Sequence, residues 1–452
     1  MIPRHPCPPA SPRHRPVRGA LRLAGIAAMV LAALPLAAEC RQAEPADPPV
    51  VAAGTATAAL REIVGRGLDR SRELGAARLL AEAAEADRRE AQAQWQPQAS
   101  LFAGVGPAAG RNGGQGAATL AQGQVGVSLG QLIYDGGYTD ALVNWRRRLL
   151  EAAQAGERST QEQLALEVVA ASLDRSRYHR QADVYAHYVD SMQCLVDALG
   201  QITRADPGRA SELVQARKSL RQAELARQVA QNQQRVAESR LARFVGEPLP
   251  ALVDLGPLFA NIPDASQIQI EAERSPSIER LDAERDAAEA LARSAQAASR
   301  PRVGWTLSAS STAGGLSHSG SLGAALTLNV PLVAPGQDAA EQAARSRALA
   351  ASLRREDALE QRRSRIGELH LQARQALDIA HRIEAVLGDS QRTRAATLRQ
   401  WQQLGSRSLF DVMASESEYY TLRAQRVDAL VGGQLINATL QSLGRGLAAS
   451  ML

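Results

Sequence analysis

Hydrophobic and polar positions along the chain follow two different periods. Val125, Val127 and Leu129 alternate with Gly126, Ser128 and Gly130, and Trp305, Leu307 and Ala309 alternate with Thr306, Ser308 and Ser310. Leu322, Ala324, Leu326, Leu328 and Val330 alternate with Gly323, Ala325, Thr327 and Asn329, while Leu101, Ala103 and Val105 form a weaker fourth run. A period of two sends successive side chains to opposite faces, so each run predicts a strand with one apolar and one small or polar face. Glycine-rich stretches at 110–116 and 314–320 fall where the hairpin loops are expected.

The rest of the chain is helical in character. No proline occurs between Pro107 and Pro207 or after Pro335, and both stretches are rich in Ala, Arg, Gln, Glu and Leu. Thr139–Thr203 reads as one helix, roughly 100 Å long at ~1.5 Å per residue. Gln337–Leu404 reads the same way. Short breaks at Arg204–Arg209 and Gly405–Ser408 each precede a further helical run, which predicts two long antiparallel helical hairpins.

The two halves share one plan. Leu129 and Leu328 are 199 residues apart, and so are Glu212 and Asp411, whereas Pro97 and Pro301 are 204 apart. This spacing predicts an internal duplication of helix, two strands, long helix, tip and return helix. Four strands cannot close a barrel, for which about eight is the lower limit in membranes. Three chains would supply twelve, with Gly, Ser, Thr and Asn facing a wet lumen. Trp95, Tyr134, Tyr138, Trp145 and Trp305 cluster at strand ends, where a membrane barrel carries its aromatic girdle. The alternative on these residues alone is a soluble sheet capping a helical bundle.

Composition narrows the classes. Aromatic residues make up only 3% of the chain, which argues against several compact cores. Outside the first 38 residues no apolar run reaches the ~18–20 residues of a spanning helix. The net charge of +5 resides in Arg4, Arg13, Arg15, Arg18 and Arg22, leaving a neutral body with no footprint for nucleic acid. Those arginines precede the apolar Leu23–Ala38, so residues 1–38 read as an export signal cut near Ala37 or Ala38, with an uncut anchor as the alternative. Residues 39–55 then form an N-terminal linker. Cys7 would leave with the leader, and Cys40 and Cys194 are expected to be free thiols; Glu39 fits a lipidation box badly.

No catalytic, cofactor-binding or metal-binding set emerges. None of the seven histidines makes a His-Glu-x-x-His pair, and His179 and His187 stand two helical turns apart. Gly104-Val105-Gly106-Pro107 lacks the third glycine of a dinucleotide loop.

Three segments carry a family resemblance: Gln94-Trp95-Gln96-Pro97, Leu132-Ile133-Tyr134-Asp135-Gly136-Gly137, and Leu404-Gly405-Ser406-Arg407-Ser408-Leu409-Phe410-Asp411-Val412. In this order and spacing the chain resembles the TolC family of outer-membrane channel proteins over essentially everything after the leader. The second copy departs from it by having Ala334-Pro335-Gly336 in place of Asp-Gly-Gly. The resemblance implies a mainly α protein with a membrane β-barrel: a coiled-coil α-barrel in the periplasm and four strands per chain, closing as twelve strands in a homotrimer. It implies repeats at 56–262 and 263–452, joined by a belt at Phe244–Pro263. It implies residence in the outer membrane of a Gram-negative bacterium, in contact with its lipid. The implied partners are a periplasmic adaptor and an inner-membrane ABC or proton-driven transporter.

The same resemblance implies a tip gate. Arg407 matches a basic residue that pins the tip, with Ser211 and Glu212 as its expected partners. Asp411 matches one of the aspartates lining the narrowest ring, while Ala414 stands where a second would be. The first tip, Arg204–Leu213, is more similar to the branch serving type I secretion of a protein such as a toxin or adhesin. Efflux of small molecules is the alternative. A periplasmic coiled-coil adaptor or scaffold is the rival class.

Overall fold

The computed structural model describes residues 53–110, 118–314, 317–404, 408–444 and 446–448. The expected leader, Cys40, most of the linker, residues 111–116 of the first glycine-rich stretch, 315 and 316 of the second, and Gly405, Ser406 and Arg407 lie outside the described residues.

Two short helices, α1 (Ala53–Arg70) and α2 (Arg72–Ala93), lead into strands β1 (Gln98–Gly110) and β2 (Ala118–Tyr134). Helix α3 (Tyr138–Ala205) runs unbroken for 68 residues, and α4 (Ala210–Val245) returns along it. After a connecting segment come α5 (Ala265–Ala272), α6 (Pro276–Ala297), β3 (Arg302–Gly314) and β4 (Ser317–Asn329). Helices α7 (Pro335–Arg399) and α8 (Leu409–Leu443) form the second hairpin. The order helix, two strands, long helix, return helix thus recurs, and α8 starts 199 residues after α4.

The helices hold together through three apolar clusters. One, midway along α3, gathers Leu60 and Val64 of α1, Leu164–Leu173 of α3, Leu241 of α4, Phe259 of the connecting segment and Val431 of α8. The second lies near the tips and joins Val184–Leu199 of α3 to Leu398, Trp401, Leu409 and Tyr420 of the second hairpin. The third packs Ile268 and Ala272 against Ile366, Leu369 and Leu440. Beyond α8, the backbone N–H groups of Leu447 and Ala448 donate to Glu162 Oε2 at 2.7 and 3.0 Å, which fastens this segment to α3. Cys194 departs from expectation: it is disulfide-bonded.

The strands form one antiparallel sheet in the order β1-β2-β3-β4, leaving β1 and β4 as open edges. All four run longer than the alternation alone predicts. Gly320, expected in a loop, pairs with Ser311 inside the β3–β4 ladder, because pairing satisfies backbone groups whatever the side chains. Among the described residues, no helix is long and apolar enough to cross a membrane.

Candidate functional site

The turn from sheet to helix is where two of the motif segments meet. Asp135 is buried and accepts from the N–H of Gly137 at 3.0 Å and of Thr139 at 2.7 Å, capping the start of α3. Gly136 and Gly137 have φ of 70° and 88°, a region that favours glycine. Arg300 donates to the Gly136 carbonyl at 2.6 Å, and a Cβ on Gly136 would collide with the arginine's stem. Gln131 reaches back to the Trp95 carbonyl at 3.0 Å, so the Trp95 and Asp135 segments are locked to each other.

Above this junction, register sorts the side chains into two faces. Leu101 lies opposite Val127, Val127 opposite Ala309, and Ala309 opposite Leu322, so one row crosses the sheet as apolar residues. Leu129, Leu307 and Ala324 make the next row. Most of this face is bare: Leu101, Leu322 and Leu326 are 73, 79 and 73% exposed. The opposite face carries hydroxyls and glycines. Ser100 and Ser128 share a hydrogen bond of 2.7 Å, Ser310 and Ser321 one of 2.8 Å, and Thr327 donates to the Gly304 carbonyl at 3.1 Å. Phe102 lies over Gly126 on that face.

At the other end of the hairpins lie the residues expected to form a gate. Asp206 accepts from the Gly208 N–H at 3.1 Å and Pro207 opens a single 3-10 turn, which reverses the chain between α3 and α4. Ser211 and Glu212 occupy the first turn of α4. Glu212 lies 3.0 Å from Arg209 of its own tip, an approach of charges without hydrogen-bond geometry. Ser408 caps α8 by accepting from the Phe410 N–H at 3.2 Å, and Asp411 stands exposed in that helix's first turn. Glu212 and Asp411 are each the third residue of a return helix, where a carboxylate complements the helix N-terminus. The expected pairing of Arg407 with Ser211 and Glu212 lies outside the described residues.

A buried polar cluster beneath the tips had not been anticipated. Arg394 of α7 donates to Glu416 of α8 at 2.7 Å, with side chains only 4 and 1% exposed. Ser191 of α3 donates to the other Glu416 oxygen at 2.8 Å. The Arg394 guanidinium also reaches the Tyr420 hydroxyl at 3.3 Å and lies 4.6 Å from the Tyr419 ring. Burial pushes the Tyr420 pKa up to about 12. The available signal was spacing: Leu387, Arg394 and Trp401 recur every seven residues, which places the arginine on the core stripe of α7.

Long helical hairpins carrying a sheet with a bare apolar face and a hydroxyl face make up the fold of the outer-membrane channel proteins. Residues 63–247 match the model of the outer membrane efflux protein family, so that segment carries the family's signature. Among solved structures the chain is similar to CusC, whose crystal structures concern transmembrane channel formation, with a TM-score of 0.77 at 18% identity over 86% of this chain and 92% of that one. It is similar to the outer membrane protein VceC of Vibrio cholerae, with a TM-score of 0.73 at 16% identity over 86 and 96% of the two chains. The CmeC outer membrane channel of Campylobacter jejuni gives 0.72 at 15% identity over 86% of each. No curated protein matches the chain in sequence.

Proposed function

We propose that the chain is one third of an outer-membrane channel-tunnel. Its strands close with those of two further copies, and its hairpins extend into the periplasm of a Gram-negative cell. The observation that carries this reading is the sheet: four strands with two open edges, an exposed apolar face and a hydroxyl-rich reverse. Open edges are a liability in water and do not occur in lipid, and closure with further copies removes them. Exposed Val214, Leu225 and Val229 on α4, and Leu349, Leu353 and Leu371 on α7, support helix-to-helix packing between copies. We assign the repeats to 56–262 and 263–452, after a leader at 1–38 and a linker at 39–55, although α1 already begins at Ala53.

The channel works with a periplasmic adaptor and an inner-membrane transporter. Ser211, Glu212, Arg407 and Asp411 form its periplasmic gate. For cargo, the description of the matched family favours efflux of small solutes. Type I protein secretion is the second reading, favoured by the first tip at 204–213. Deletion of the gene separates them. Efflux predicts higher accumulation of a fluorescent small solute, reversed by complementation, with the extracellular proteins unchanged. Loss of one large protein from the medium, with accumulation unchanged, would contradict efflux and support secretion.

A further inference from the structure

Among the described ion pairs, Arg394–Glu416 is the one with both side chains buried. It spans the two helices of the second hairpin near their end, and through Ser191 it reaches the first hairpin, 225 residues away in sequence. The Tyr420 ring, 5.0 Å from that of Tyr188, adds a second tie to α3. Arg394, Glu416, Ser191 and Tyr420 each have a hydrogen-bond partner on another helix, so the cluster fixes the rotation and register of α7 and α8 as well as their distance. Six residues beyond Arg394, the backbone leaves α-helical bonding for a π turn at Gln400–Leu404. Such turns widen a helix locally and recur at functional positions.

We propose that Arg394 and Glu416 are positioning residues for the channel's periplasmic end. They close the base of the second hairpin's last turns and anchor it to α3. Motion of that end hinges at the π turn and stops at the buried pair. The orientation of Asp411, five residues before Glu416, is thereby set from a site the permeating solute never touches. The anchoring stands on the geometry, whereas its role in passage rests on the channel reading above.

The test compares the purified full-length protein with two variants, Glu416→Gln and the double variant Arg394→Met with Glu416→Met. The double variant leaves no lone buried charge and so guards against simple misfolding. Hydrogen exchange is read by mass spectrometry and resting conductance in planar bilayers. We expect both variants to keep their assembly, with exchange at 395–404 and 408–415 faster by about tenfold or more. Exchange in the core at 164–173 and 431–440 is expected to stay unchanged, and resting conductance to rise severalfold. Wild-type exchange and conductance in the double variant would overturn the proposal. So would exchange that rises equally along all of α7 and α8, because the pair would then be a general stabiliser. Exchange needs no bilayer: a wild-type protein that conducts nothing would sink the channel reading, while the anchor is still judged by exchange.

Discussion

The Tyr420 hydroxyl is surrounded by protein, and this loss of water outweighs the nearby Arg394 guanidinium in setting its pKa. The folded chain therefore holds that proton up to about pH 12, whereas an unfolded tyrosine releases it near 10. The resulting stability is fully present below about pH 10 and is lost as pH rises toward 12. Melting temperatures should fall across that window, and Tyr420→Phe should fall less steeply. Equal slopes would show that the hydroxyl does not titrate with unfolding. Asp411 gives a second test at this scale. The proposed gate, with one carboxylate per chain at Asp411, predicts a weak block of conductance by a trivalent cation, absent in Asp411→Ala. Equal block in both would leave Asp411 only its place at a helix N-terminus, worth ~0.3–1 kcal/mol. The place of Glu212 and Asp411 in the first turn of each return helix was legible, because both follow a break at the same repeat position. Arg394 and Glu416 were not, since a charged residue on a long helix is ordinarily a solvated one. Only the packing of α7 against α8, with Ser191 of α3 alongside, reveals that these two lie inside.

At the scale of elements, the alternating runs located all four strands, but they understated each one. Apart from Leu120, residues 118–124 of β2 and 317–321 of β4 are small or polar and show no period, yet they pair with Gly104–Gly110 and Ser310–Gly314. Their strand character comes from the partner, which a reading of one segment at a time cannot supply. The long helices were legible almost to the residue, because runs of strong helix formers between prolines need no partner to declare themselves. The first tip was legible too, in Asp206-Pro207-Gly208. The faces of β4 lead to a direct prediction. Leu326 lies opposite Trp305 on the apolar face, while Thr327 points to the hydroxyl face. Leu322, on the same face but four residues farther from the Trp305 girdle, is the mid-membrane position, and Leu322→Arg should cost about 2–4 kcal/mol per chain. Thr327→Arg should be tolerated. The yield of assembled channel in outer-membrane fractions checks this, and equal loss in both variants would show the faces to be misassigned.

For the molecule as a whole, one chain is an incomplete object. Its sheet ends in two unpaired edges, and its apolar strand face is bare. Long helices α4 and α7 carry exposed Val, Leu and Ile side chains at intervals that suit a neighbouring helix. Each of these deficits is met by placing β4 of one copy beside β1 of the next around a threefold axis, which yields twelve strands and no edge. The sequence alone permits this reading from strand count and polarity. The register adds that two rows, through Val127 and Leu129, run apolar across all four strands, as a lipid-facing wall requires. The most direct test is native mass spectrometry of the protein extracted in mild detergent from purified outer membranes. The account predicts a species of three chains that collapses to single chains on heating. Recovery as a single chain, or in the soluble periplasm with no membrane-bound trimer, would contradict it.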